Sequence, residues 1–121
     1  MICVSLRKGG SGKTTTSVNL AAGLQKRGRK TLLIDLDDQA NATMCAGINP
    51  FHLERSIATV FTDISVQPRD IIVETDYGLS VLPAAPDLER VAAGMTATSI
   101  GELRPIVEAL ADSYDYIVMA Y

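Results

Sequence analysis

The chain has 121 residues, 47% of them hydrophobic and 21% charged, a size and balance suited to one compact domain with a buried core and unsuited to a disordered or fibrous chain. Eleven Lys and Arg against 14 Asp and Glu give a formal charge of −3, which argues against a constitutive basic surface for nucleic acid.

Ile2 to Leu6 (ICVSL) is a short apolar run that stops at Arg7-Lys8-Gly9-Gly10 and reads as a buried strand entering a glycine-rich loop. From Thr14 the spacing turns helical, with Val18, Ala21, Ala22 and Leu24 three and four apart; Gly28 ends the run after Lys26 and Arg27, cations suited to a helix C-terminus. Thr31 to Asp37 reads as a second buried strand, apolar through its body and acidic at its end. Such a strand, loop, helix, strand unit implies parallel pairing. Asp38 to Pro50 is polar and reads as a loop with a partial helical turn, and Leu53, Ile57, Val60 and Phe61 suit a short helix over 53–61. Ile71 to Val73 and Leu79 to Leu82 read as short strands around a turn at Asp76, Tyr77 and Gly78. Pro86 suits the first turn of a helix with Leu88, Val91, Ala92 and Met95 on one face. Ser99 to Glu102 matches a capping box before Leu103, Ile106, Val107 and Leu110, with Pro105 as a competing start. Tyr116 to Met119 is a third strand. The expected class is α/β, a mostly parallel sheet of three or four strands with flanking helices.

The chemistry concentrates in Lys8-Gly9-Gly10-Ser11-Gly12-Lys13-Thr14-Thr15, placed between a strand and a helix, where backbone N–H groups and the helix dipole converge on an anion. Glycines let the backbone fold around phosphates without Cβ clashes. In the phosphate-loop pattern GxxxxGK[ST], Lys13 reaches the β and γ phosphates and the Thr14 hydroxyl binds Mg²⁺. The strict pattern departs at Arg7, where its first glycine falls. The alternative is a glycine-rich turn that binds nothing.

KGGxGKTT resembles the deviant phosphate loop of the ParA/MinD family of P-loop ATPases. Thr14 to Ala22 is similar to that family's first helix, and Leu33-Ile34-Asp35-Leu36-Asp37-Asp38-Gln39-Ala40-Asn41-Ala42-Thr43 to its switch segment, DxDPQxNxT, with Asp38 in place of proline. Leu82-Pro83-Ala84 with Asp87-Leu88 resembles a later LPA segment, and Tyr114 to Val118 the strand before the Walker B aspartate. The resemblance runs end to end and points to the chromosome and plasmid partition branch, with residues 1–121 as the N-terminal part of a P-loop ATPase domain. It implies ATP or ADP and Mg²⁺ as ligands, with Gly9, Gly10, Ser11, Gly12, Lys13, Thr14 and Thr15 as the cradle. It further implies that Lys8 crosses to the partner subunit's nucleotide in an ATP-bound homodimer, that Asp37 orients the attacking water, and that Thr14 and Asp35 serve the magnesium. Partners implied are a centromere-binding protein and, for a full-length member, nonspecific DNA on the nucleoid. Weak or absent DNA binding is expected of this chain.

Ala120 stands where the family has the Walker B aspartate, so a truncated, non-catalytic nucleotide-binding or interaction module of the same family is the alternative function. A reductase resembling the nitrogenase iron protein needs cluster cysteines that neither Cys3 nor Cys45 matches, and a septum-placement role is a lesser alternative. Cys3 and Cys45 form no CxxC and have no His at ligand spacing, so both are expected to be structural, in a reducing cytoplasm. His52 lacks a placeable nucleophile partner, and Arg55, Arg69, Arg90 and Arg104 read as solvated surface. No apolar run approaches the roughly 18 residues of a membrane span, and Met1 to Ser5 is too short for a signal peptide, so no membrane partner is expected. A half-sheet of this kind leaves apolar edges, and oligomerisation or strand exchange is expected to cover them.

Overall fold

The structure, a computed structural model, describes residues 2–6, 13–37, 39–63, 65–85 and 103–120. The helix expected from Pro86 and the capping box at Ser99 lie outside the described residues.

Strand β1 (Ile2–Leu6) precedes helix α1 (Lys13–Lys26), which leads to β2 (Thr31–Asp35). Helix α1 ends in a Schellman motif: the Gly28 N–H donates to the Gln25 carbonyl at 3.0 Å and the Arg29 N–H to the Leu24 carbonyl at 3.0 Å. That closure needs the left-handed backbone of Gly28, φ 82°. Helix α2 (Asn41–Cys45) and a 3₁₀ turn (Pro50–His52) follow. Helix α3 spans Ile57–Thr62 and starts later than the apolar spacing from Leu53 implies. The reason is Ser56, whose Oγ accepts from the Ala58 N–H while its own N–H donates to Thr59 Oγ1, both at 3.2 Å.

A further 3₁₀ turn (Pro68–Asp70) leads to β3 (Val73–Glu74), which pairs antiparallel with β4 (Ser80–Leu82) around the expected turn. Helix α4 (Leu103–Leu110) begins before Pro105, which its first turn accommodates because the N–H groups there have no helical acceptor. The final strand, β5 (Tyr116–Ala120), runs one residue beyond the apolar stretch read from the sequence.

The sheet has five strands in the order β1-β5-β2-β4-β3, rather than three or four, and all neighbours are parallel except β3 with β4. Strand β5, the last described in the chain, is inserted between β1 and β2, and β2 is central. Alternate residues feed two cores: Leu33, Val81 and Val118 pack with Val18 and Ala21 of α1, whereas Leu32, Ile34, Leu82 and Ile117 pack with Ile57, Ile106 and Leu110. Covering both faces explains why β2 is buried at every position and apolar in its interior.

Candidate functional site

The four parallel strands present their C-terminal ends on one edge, where open α/β sheets receive ligands. Register sets Leu6, Ala120 and Asp35 side by side there, with Ala120 between the other two. Strand β1 runs at this edge into the glycine-rich stretch. Lys13, Thr14 and Thr15 form the first turn of the 14-residue α1, whose N-terminus carries partial positive charge with no acidic side chain in that turn. Lys8, Gly9, Gly10, Ser11 and Gly12 lie outside the described residues.

The second strand is shorter than the reading through Asp37, so Asp35 and Asp37 do not share the one face that residues two apart have on an extended segment. Strand β2 ends at Asp35, because Asp35 Oδ1 accepts the Asp37 N–H at 2.9 Å. Asp37 Oδ1 in turn accepts the Gln39 N–H at 3.0 Å, so two successive Asx turns lead the chain off the sheet. The Ala40 N–H closes back on the Asp37 carbonyl at 2.9 Å, and Ala40 adopts a left-handed φ of 56° before α2 starts. An alanine in that region is strained and persists only where its surroundings fix it. Asn41 Nδ2 then donates to Asp37 Oδ2 at 2.8 Å.

Asp35 is fully buried. Its Oδ2 accepts both the Thr43 N–H at 2.8 Å and the Thr43 hydroxyl at 2.7 Å. Burial pushes the Asp35 carboxyl above the usual carboxylate range; the bonds from the Thr43 hydroxyl and from the Asp37 and Thr43 N–H groups pull it back, and the Asp37 charge adds to the rise. Thr43 Oγ1 also accepts the Ala84 N–H at 3.0 Å, which ties the segment after β4 to this turn. Asn41, Thr43 and Ala84 carry no individual role in the sequence reading. The available signal was their place in the two segments, DxDPQxNxT and LPA, already singled out.

Among the described residues no three His, Cys, Asp or Glu side chains gather as a preformed metal cage. Magnesium commonly takes one or two protein ligands and completes its shell with phosphate oxygens and water, so the donor types at this edge fit an ion delivered with a nucleotide. Cys45 is exposed rather than structural, and His52 is exposed, its Nε2 3.5 Å from Asn49 Nδ2. Arg55 and Arg69 are exposed and donate to the carbonyls of Asp70 and Ala109; Arg104 is exposed and pairs with Glu108. The Cys3 side chain and Arg90 lie outside the described residues.

The AAA domain family matches residues 1–120. The chain belongs to this family. Within it, the chain is of the ParA/MinD type: the chromosome partitioning protein ParA of Myxococcus xanthus is 39% identical over 122 residues, which cover 98% of this AAA domain chain and 43% of that protein. Among solved structures, cobyrinic acid a,c-diamide synthase of Mycobacterium smegmatis, with bound ATP analog and magnesium, superposes with a TM-score of 0.86 at 33% identity, covering 98% of this chain and 50% of that one. The cell division ATPase MinD of Pyrococcus furiosus gives 0.79 at 31% identity, with 98% and 48% covered. The AAA domain chain thus spans about half the length of the proteins it matches, and its fold is the P-loop α/β fold they share.

Proposed function

We propose that this chain binds and hydrolyses ATP as a partition ATPase, a nucleotide-dependent dimerisation switch in plasmid or chromosome segregation. The observation that carries the reading is that β1 and β2 end on one sheet edge, β1 just before the phosphate-loop sequence and β2 just before an Asp37 carboxylate held by Gln39 and Asn41. Likeness to a partition protein supports that process; the two solved structures are named for a diamide synthase and a cell division ATPase.

In this reading the backbone of residues 9–15 cradles the phosphates, Lys13 reaches the β and γ phosphates and the Thr14 hydroxyl ligates magnesium. Magnesium, held there by the Thr14 hydroxyl and the nucleotide, would supply neutralisation of phosphate charge. Asp35 acts near the ion's waters and through the turn it holds, since both its oxygens already accept from protein donors. Asp37 orients the attacking water, and the hydrogen bonds from Gln39 and Asn41 hold the carboxylate for that task. Lys8 supplies charge to the partner subunit's nucleotide once an ATP-bound homodimer forms. A centromere-binding protein would stimulate turnover. A full-length family member would work in the cytoplasm on the nucleoid, while this chain, with its charge of −3, would hold DNA weakly or not at all.

One observation favours the second reading, a non-catalytic nucleotide-binding module. Ala120 ends β5 between Leu6 and Asp35, at the position where the family resemblance expects the Walker B aspartate. Calorimetry with Mg-ADP tests what the two readings share. Binding by the chain that Lys13→Ala abolishes is the expected result; equal binding by both proteins overturns the nucleotide assignment.

A further inference from the structure

The buried polar groups around Asp37 form a connected path that extends beyond its own loop. Thr43, the third residue of α2, is fully buried and makes three hydrogen bonds through its N–H and hydroxyl. Its N–H and hydroxyl both donate to Asp35 Oδ2, at 2.8 and 2.7 Å, and its oxygen accepts the Ala84 N–H at 3.0 Å. Asp35 then holds the Asp37 N–H through its other oxygen at 2.9 Å. Ala84 is also fully buried and follows Pro83, whose carbonyl accepts the Ile57 N–H at 2.8 Å at the start of α3. One hydroxyl therefore joins the end of β2, the start of α2 and the segment after β4.

Hydrophobic packing alone would leave this junction loose. Contacts between apolar surfaces are non-directional, whereas a hydroxyl that donates to one element and accepts from another fixes both, and in a water-free interior it has no substitute partner. The turn it closes contains Ala40 in its strained left-handed conformation, at 1% exposure, and Asn41, the residue that donates to Asp37 Oδ2. Release of Thr43 frees the α2 N-terminus to relax that strain, and the Asn41 amide moves with it.

We propose that Thr43 is a positioning residue for Asp37, whose hydroxyl couples the Pro83-to-Ala85 segment to the switch segment and so sets the carboxylate's placement from outside its own loop. The proposal rests on the reading of Asp37 as the water-orienting group. It makes the segment after β4 a route by which a change elsewhere in the chain alters Asp37.

The test is residue-resolved amide hydrogen exchange by NMR on the chain, in the series Thr43→Ser, Thr43→Cys and Thr43→Val, with Gly28→Ala as a remote variant to calibrate loss of global stability. The series keeps, weakens and removes the hydroxyl. Exchange at Asp37 and Gln39 should rise together with exchange at Ala84, by about tenfold for valine beyond what global stability accounts for, and return to the original rates with serine. Should the valine variant fail to fold, cysteine carries the comparison with an intermediate rise. Acceleration confined to Ala84, with Asp37 and Gln39 unchanged, overturns the proposal, as does serine behaving like cysteine. The readout needs no bound nucleotide, so it stands or falls apart from the Mg-ADP experiment.

Discussion

Replacing Asp35 tests whether this carboxylate holds the turn as the geometry implies. Asp35→Ala strips the acceptor from three donors, the N–H groups of Asp37 and Thr43 and the Thr43 hydroxyl, in a site with no exposure. Each buried donor left unmade costs about 1–3 kcal/mol. Relief of the buried charge offsets part of the total, so a net loss of about 3–5 kcal/mol is expected, a large share of a small domain's stability. Asp35→Asn keeps an oxygen for Asp37 but turns an amide NH₂ toward the Thr43 donors, for a loss of about 1–3 kcal/mol. The assay is urea unfolding followed by circular dichroism at several pH values. Because burial raises the folded-state pKa of Asp35, its protonation equilibrium contributes stability that is fully present below the unfolded pKa and is lost as pH rises through the folded one. The advantage of the unsubstituted chain over the Asn variant should therefore shrink as pH climbs above about 4, the unfolded aspartate value. An advantage that grows over that range, or an alanine variant that loses less than about 1 kcal/mol, would refute the reasoning.

Three further outcomes are expected. In phosphate-release assays, Asp37→Ala lowers turnover about 10²-fold or more and Ala120→Asp raises it; turnover untouched by either change removes both residues from the chemistry. Gly28→Ala costs about 1 kcal/mol in urea unfolding, all of it backbone, since nothing among the described residues lies within 4 Å of the added Cβ; no loss would mean the Schellman closure is dispensable. Asp63, whose carboxyl is held below the usual range by the Ser65 hydroxyl at 2.6 Å and the Ser65 N–H at 3.0 Å, titrates upward in Ser65→Ala by NMR, and an unmoved titration contradicts the assignment.

The legible parts of the fold were those fixed by local chemistry. The apolar runs of β1 and β2, the Gly28 stop and the turn at Gly78 follow from side-chain period and backbone freedom alone. Strand order does not. Nothing in Tyr116 to Ala120 says that it inserts between β1 and β2, because any apolar five-residue strand pairs equally well with either; only the summed packing of α1 on one face and of Ile106 and Leu110 on the other decides it. The start of α3 was misplaced for a smaller reason. Leu53 continues the apolar spacing, but the Ser56 hydroxyl caps the helix three residues later.

At the candidate site, residue types were legible and their geometry was not. Two acids separated by one residue after an apolar run read as neighbours on an extended face, a reading that holds only while the backbone stays extended. The same side chains end that extension. Aspartate oxygens compete with the sheet for N–H groups two residues ahead, and here they win twice, at Asp37 and at Gln39. Each carboxylate is thereby assigned by its own turn, Asp35 inward to Thr43 and Asp37 to Asn41. A sequence reading that weighed Asx-turn competition at the strand end would separate the two acids. It would still miss Thr43, because the bond it donates to Asp35 spans eight positions and exists only after the left-handed turn at Ala40 reverses the chain. The link from Asp37 through Asp35 to Thr43 is therefore a matter of tertiary geometry, and the Thr43 hydroxyl ties the segment after β4 to the turns that the two carboxylates close.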